Sequence, residues 1–141
     1  MTQPTSEVIY QGSLHTQCTH LQSNNQIITD APTDNQGKGE AFSPTDLLST
    51  SLASCMLTIM GIVAKNHDLP FGEAKTTMTK IMAENPRRVS EIQIDIVMPD
   101  EDFTPEQKKL LEQAALNCPV AKSLSADIQQ TVQFHYVASN L

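Results

Sequence analysis

Three cysteines are the side chains in this chain best suited to chemistry, and two of them sit where a thiol can be put to work. Cys118 directly precedes Pro119, a residue suited to opening a helix. The unpaired N–H groups and positive dipole end of such a helix, with Lys122 one turn on, would stabilise a thiolate there. On local chemistry alone Cys118 is the readier of the two to ionise. Cys55 lies amid apolar residues in the stretch Ser43 to His67, SPTDLLSTSLASCMLTIMGIVAKNH. Apolar company raises a thiol pKa unless another segment supplies a cation or a donor. One buried thiol and one at a helix start suit an attacking and a resolving thiol that close a disulfide during turnover. Two unrelated core thiols fit the same spacing. Cys18 shares a strand face with Leu14, Thr16 and His20, where a small half-buried residue is expected.

Other chemistries find less to work with. His15, His20, His67 and His135 are scattered, and no Cys-x-x-Cys or His-x-x-x-His spacing occurs. His15 and His20, five apart on one strand, face opposite sides. Gly37-Lys38-Gly39 is too short for a phosphate loop, and no Ser nucleophile elbow is present. No metal and no cofactor is expected.

The elements that must position the thiols follow from caps and periodicity. Ser43 is a good N-cap, Pro44 suits the first helical position, and Asp46 completes a capping box, so a helix runs from Ser43 to His67. It carries no charge from Leu47 to Ala64. Leu48, Leu52, Cys55, Ile59 and Ile62 form one stripe, flanked by Met56 and Val63 on one side and Leu57 and Met60 on the other. A helix this apolar must be wrapped by other parts of the protein. Before it come short strands at Glu7–Tyr10, Leu14–Leu21 and Gln26–Thr29, then a loop from Ala31 to Phe42, rich in Gly, Pro, Asn and Asp, that suits a wall or lid and equally a mere connector. After it, Phe71–Ala83 reads as a strand and Asn85-Pro86-Arg87-Arg88 as a turn. Val89–Met98 alternates cleanly as a half-buried antiparallel strand, with Ile92, Ile94, Ile96 and Met98 inward. Thr104-Pro105-Glu106-Gln107 opens a second helix reaching Leu116, with Leu110, Leu111, Ala114 and Ala115 inward. Val120–Leu124 makes a short helix and Ile128–Val137 a last strand. The strands and helices do not alternate one for one, which selects an α+β fold.

The chain's 141 residues suit one domain, 1–141, and its net charge of -7 argues against nucleic acid and anionic membrane as partners. None of its nine Lys and Arg precedes Lys38. The start, MTQPTSEVIYQG, lacks the basic and apolar regions of a signal peptide. The long helix approaches the length of a membrane span, yet it carries Ser and Thr and lacks aromatic or basic belts. A cytoplasmic location is expected, where cysteines stay as thiols.

Two motifs together carry a resemblance. Phe42-Ser43-Pro44-Thr45-Asp46-Leu47-Leu48 through Ala53-Ser54-Cys55, followed downstream by Asn117-Cys118-Pro119-Val120-Ala121-Lys122-Ser123-Leu124, is similar to the OsmC/Ohr family of osmotically induced and organic hydroperoxide resistance proteins. The order of elements, βββ-α-ββ-αα-β, matches that family along nearly the whole chain. The resemblance implies an intertwined homodimer with the two long helices central and the sites at the interface; Thr50, Ser54 and Gly61 would permit close approach. It implies thiol-dependent reduction of hydroperoxides, mainly organic ones, with Cys55 attacking, Cys118 resolving and an external dithiol as reductant. That order reverses the one read from local chemistry. The chain also departs from the family pattern. Active members place a Glu directly after the helix-opening Pro, where Thr45 and then Asp46 stand here, and an Arg in the N-terminal strands or loop, whereas no Arg precedes Arg87. Lys38, Arg87 and Arg88 are the cations left to support a thiolate. The competing expectation is a non-catalytic dimer holding a small apolar or thiol ligand around Leu52, Cys55 and Met56.

Overall fold

The computed structural model describes residues 3–138. The chain divides into two compact units, the first ending at Leu48 and the second starting at Ser49. In the first unit β1 (Ser6–Gly12), β2 (His15–His20) and β3 (Gln26–Asp30) form an antiparallel sheet in that order. The β1–β2 turn needs left-handed backbone at Gly12, Ser13 and Leu14, and the register slips between Tyr10 and Gly12 to accommodate it. Val8, Tyr10 and Ile27 lie exposed on one face of this sheet, Ile9 and Ile28 on the other.

The following loop is closed on itself. Asp30 donates its N–H to the Phe42 carbonyl at 3.0 Å, and its buried carboxylate accepts from the Glu40 N–H at 2.9 Å. Gly37 is required here, because a Cβ at that position would lie 1.7 Å from the Ala31 carbonyl oxygen. The loop then delivers the chain to α1 (Pro44–Asn66). The expected cap is present: Ser43 Oγ accepts from the Asp46 N–H, and Asp46 Oδ2 accepts from the Ser43 N–H, both at 3.0 Å.

The second unit holds the rest of α1 together with β4 (Lys75–Ala83), β5 (Arg88–Pro99), α2 (Pro105–Leu116), α3 (Pro119–Ser123) and β6 (Gln129–Val137). β5 is central. It pairs antiparallel with β4 and parallel with β6, so the sheet is mixed and not purely antiparallel as the alternation suggested. A parallel neighbour requires a crossover connection, and α2 and α3 provide it. β4 begins at Lys75, later than expected, because Lys75 is the first residue with a ladder partner, Val97. Phe71 packs against the core instead. The expected inward residues of β5, Ile92, Ile94, Ile96 and Met98, are all buried, and they meet Leu52, Met56, Met60 and Ala64 of α1 and Leu111 and Ala115 of α2. Each such large side chain contributes about 1.5–3 kcal/mol by leaving water.

That packing fixes the rotation of α1, and it differs from the stripe read in the sequence. The buried line in the second unit is Ser49, Leu52, Ala53, Met56, Met60 and Ala64, with Met56 near its centre. Leu48 and Ile62 are 42% and 49% exposed, and Cys55 stands at the edge of the buried face. By length and composition α1 is apolar enough to cross a membrane, with a mean hydropathy of 1.9. Its buried line is nevertheless the core of the second unit. Gly61 faces the Phe71 ring, which a Cβ would meet at an ordinary 3.8 Å.

Candidate active site

Cys118 is placed by the junction of α2 and α3. Thr104 and Gln107 close a reciprocal capping box at the start of α2, and Pro119 takes the first position of α3, leaving Cys118 as its N-cap with extended backbone. The Cys118 N–H donates to the Ala115 carbonyl at 3.2 Å, and its carbonyl accepts from the Lys122 N–H at 3.1 Å. The residue is therefore held from both helices. Its side chain is fully buried, whereas Cys55 is half-buried.

The second unit brings these two thiols together: Cys55 lies close enough to Cys118 to act on its ionisation. Both cysteines are free thiols. Burial pushes the Cys118 pKa up, the N–H of Ala121 pulls it down, and the Cys55 thiol pushes it up again by hydrogen bonding and by charge; the Val120 N–H adds a small downward pull. Burial wins, so Cys118 stands above the ordinary thiol value. The thiolate stabilisation expected from the start of α3 is thus outweighed at Cys118 by burial. The N–H groups of a short helix face the sulfur without forming a regular side-chain cap, and they do not offset the loss of water. No cation is among the groups acting on Cys118, and Lys122 is exposed.

The supporting residues read from the sequence lie as follows. Asp46 and Thr45 serve the start of α1, Asp46 through the capping box and Thr45 through a 3.2 Å contact of its hydroxyl with that of Ser43. Lys38 is exposed in the loop of the first unit. Arg87, in the β4–β5 turn, pairs with Glu84 at 3.8 Å, and Arg88, the first residue of β5, donates to the carbonyls of Val89 and Asp127 at 3.1 and 3.5 Å. Cys18, in β2, is half-buried between Val8 and Ile27, with the Thr16 hydroxyl 3.9 Å from its sulfur. The wall imagined for a bound ligand is not open in the single chain, because Leu52 and Met56 are packed at 0% exposure and only Cys55 of the three reaches the surface.

One neighbour of the site was passed over in the sequence. Gln130, on the inward face of β6 beside the buried Ile92, donates from its side-chain amide to the Ala121 carbonyl of α3 at 3.2 Å. A polar residue between Ile128 and Val132 on an apolar face was the available signal.

The family model for OsmC-like proteins matches residues 37–133, a span that contains both cysteine motifs. No curated protein matches the chain. The crystal structure of a Psychrobacter arcticus protein named for osmotic stress induction and a detoxification response is 55% identical, with a TM-score of 0.90 over 96% of this chain and 98% of that one. An organic hydroperoxide resistance protein OsmC of Legionella pneumophila shares the fold at 14% identity, with a TM-score of 0.70 over 96% of this chain and 99% of that one. The organic hydroperoxide resistance protein OhrB of Bacillus subtilis does so at 18% identity, with a TM-score of 0.63 over 93% and 98%. The α+β architecture expected from the order of elements is therefore that of known OsmC-like structures, and the chain belongs to the OsmC-like protein family.

Proposed function

We propose that the protein reduces hydroperoxides, organic ones foremost, in defence against oxidative stress, using Cys55 and Cys118 as attacking and resolving thiols. The observation that carries the reading is the contact between the two side chains, one half-buried and one closed off. A peroxide must reach the first sulfur, whereas the second need only reach the first. The thiolate sulfur of Cys55 attacks the outer peroxide oxygen, the O–O bond breaks, and the alcohol leaves with a proton. Cys55 is then a sulfenic acid, oxidised by two electrons. The Cys118 sulfur attacks that of Cys55, the S–O bond breaks, water leaves, and an external dithiol reduces the disulfide by exchange. Family membership and the hydroperoxide-resistance names of the Legionella and Bacillus structures support the same reaction class.

The working form in this proposal is a cytoplasmic homodimer. Val8 and Tyr10 on one face of the first unit's sheet are 59% and 64% exposed, Ile28 on its other face 54%, and Ile62 of α1 in the second unit 49%, and in this proposal a second copy covers such apolar side chains. Lys38, Arg87 and Arg88 are the cations proposed to favour a thiolate at Cys55, each tested by its Gln variant. The runner-up, ligand holding without turnover, is weakened by the closed packing of Leu52 and Met56.

The test mixes reduced protein with an alkyl hydroperoxide and follows peroxide loss together with the free-thiol count. Stoichiometric loss with a Cys55–Cys118 disulfide is expected, abolished in Cys55→Ser. Peroxide that persists while both thiols stay reduced would sink the proposal.

A further inference from the structure

We propose that Gln130 is a positioning residue for Cys118, fixing α3 so that the Cys118 sulfur is held against that of Cys55. The inference rests on these two thiols being the working pair. α3 has only five residues, Pro119–Ser123, too few to stabilise itself, and isolated turns of that length do not persist in water. Its geometry must come from outside. Gln130 supplies a tether from β6, a strand locked in register against the centre of the sheet, with Gln130 directly beside Ile92. The side-chain amide meets the Ala121 carbonyl at 3.2 Å, and Ala121 is itself 9% exposed. The residues between the tether and the sulfur are Pro119, Val120 and Ala121, and the last two present their N–H groups to Cys118. A glutamine is otherwise out of place there, since the same strand face continues inward as Val132, Phe134 and Tyr136. Burying an amide head costs free energy unless it is paired, and this one is paired to the backbone of the segment that carries the resolving thiol.

The experiment uses diamide, which closes vicinal thiols with no peroxide involved. The Cys55 sulfur adds to the azo nitrogen, Cys118 attacks that sulfur, the S–N bond breaks, and the hydrazine leaves carrying both protons. Added glutathione competes for the activated Cys55, so the ratio of internal disulfide to mixed disulfide reports how well Cys118 is placed. Gln130→Met keeps length and removes the donor; its ratio is expected to fall on the order of fivefold, the worth of one hydrogen bond. Gln130→Glu carries its own control in a single folded protein. Its deficit relative to wild type is expected to be largest at neutral pH, where a carboxylate faces the carbonyl, and to shrink on acidification, when the protonated carboxyl again donates. A role limited to general stability would lower the unfolding midpoint and leave the ratio untouched. Ratios equal to wild type in both variants would overturn the inference, as would a wild-type protein in which diamide closes no Cys55–Cys118 bond. Closure by diamide with indifference to hydroperoxide would instead remove the peroxidase reading and leave the Gln130 assignment standing.

Discussion

In the proposed reaction the resolving step should be strongly pH-dependent, because the thiol assigned to it is the buried one. Cys118 is fully buried, and its pKa is held above the ordinary 9.0 chiefly by loss of water, with Cys55 adding to the shift. Only the thiolate attacks sulfur. Below such a pKa the ionised fraction rises tenfold per pH unit, so moving from about pH 6.5 to about pH 8.5 should speed closure about a hundredfold. The assay oxidises Cys55 with one equivalent of hydroperoxide, quenches at set times with an alkylating reagent, and counts modified thiols by mass. Closure that is flat over that span, or that levels off near neutrality, would show that Cys118 ionises easily and that burial does not govern it. Stability must follow the same group in the opposite sense. Folding keeps Cys118 protonated, so on raising the pH the unfolded chain loses this proton first and unfolding releases it. The stabilisation is complete below the ordinary thiol value and is lost as the pH climbs past 9.0. Cys118→Ala should flatten that slope in urea titrations run below 10.0, the ordinary value of Tyr136, whose own pKa is also raised by burial and by Glu112.

Other consequences are simpler to read. Tyr136→Phe removes the 2.7 Å hydrogen bond from its hydroxyl to Glu112 and should cost about 1–2 kcal/mol, seen as a drop of a few degrees in Tm, while Glu112→Gln, which keeps an acceptor, should cost less. Asp46→Ala opens the capping box of α1 and should cost about 1 kcal/mol by urea denaturation, with Asp46→Asn near half of that; equal losses in the two would mean the negative charge alone matters. Leu52→Ala leaves a cavity in the centre of the core and should cost about 2–5 kcal/mol, an outcome contradicted by a loss under about 1 kcal/mol. Ile62→Glu places charge on the exposed side of α1 and, if the proposed dimer is right, should shift sedimentation from dimer to monomer, whereas an unchanged dimer would move the interface elsewhere.

The parts of the fold that the sequence made legible are those governed by local rules. Ser43, Pro44 and Asp46 mark the start of α1, Thr104 and Gln107 that of α2, and strict alternation from Ile92 to Met98 marks the inward face of β5; each is a short-range pattern with one physical solution. Direction of pairing is not local. The alternation along β6 is the same whether it runs parallel or antiparallel to β5, and only the crossover through α2 and α3 settles it. Gln130 was hidden for a related reason: its partner is a backbone carbonyl, and carbonyls leave no mark in a sequence.

The rotation of α1 shows the limit most clearly, and it is the point on which the chemistry turns. Periodicity identifies the face of a helix only by contrast between apolar and polar sides, and from Leu47 to Ala64 there is little contrast to use. A stripe centred on Cys55 and one centred on Met56 are nearly equivalent in hydrophobicity. They are not equivalent for the proposed reaction. Had Cys55 taken the place of Met56, at 0% exposure, no hydroperoxide could reach it without unfolding the core. With Met56 inward, Cys55 stands at the margin, half-buried, in contact on its inner side with a fully buried Cys118. The rotation follows from packing alone, since the small Ser49, Ala53 and Ala64 take inward positions while the larger Leu48 and Ile62 are left outside. The outward residues then require their own cover, and in the proposed dimer the surface that protects them is the one that encloses Cys55.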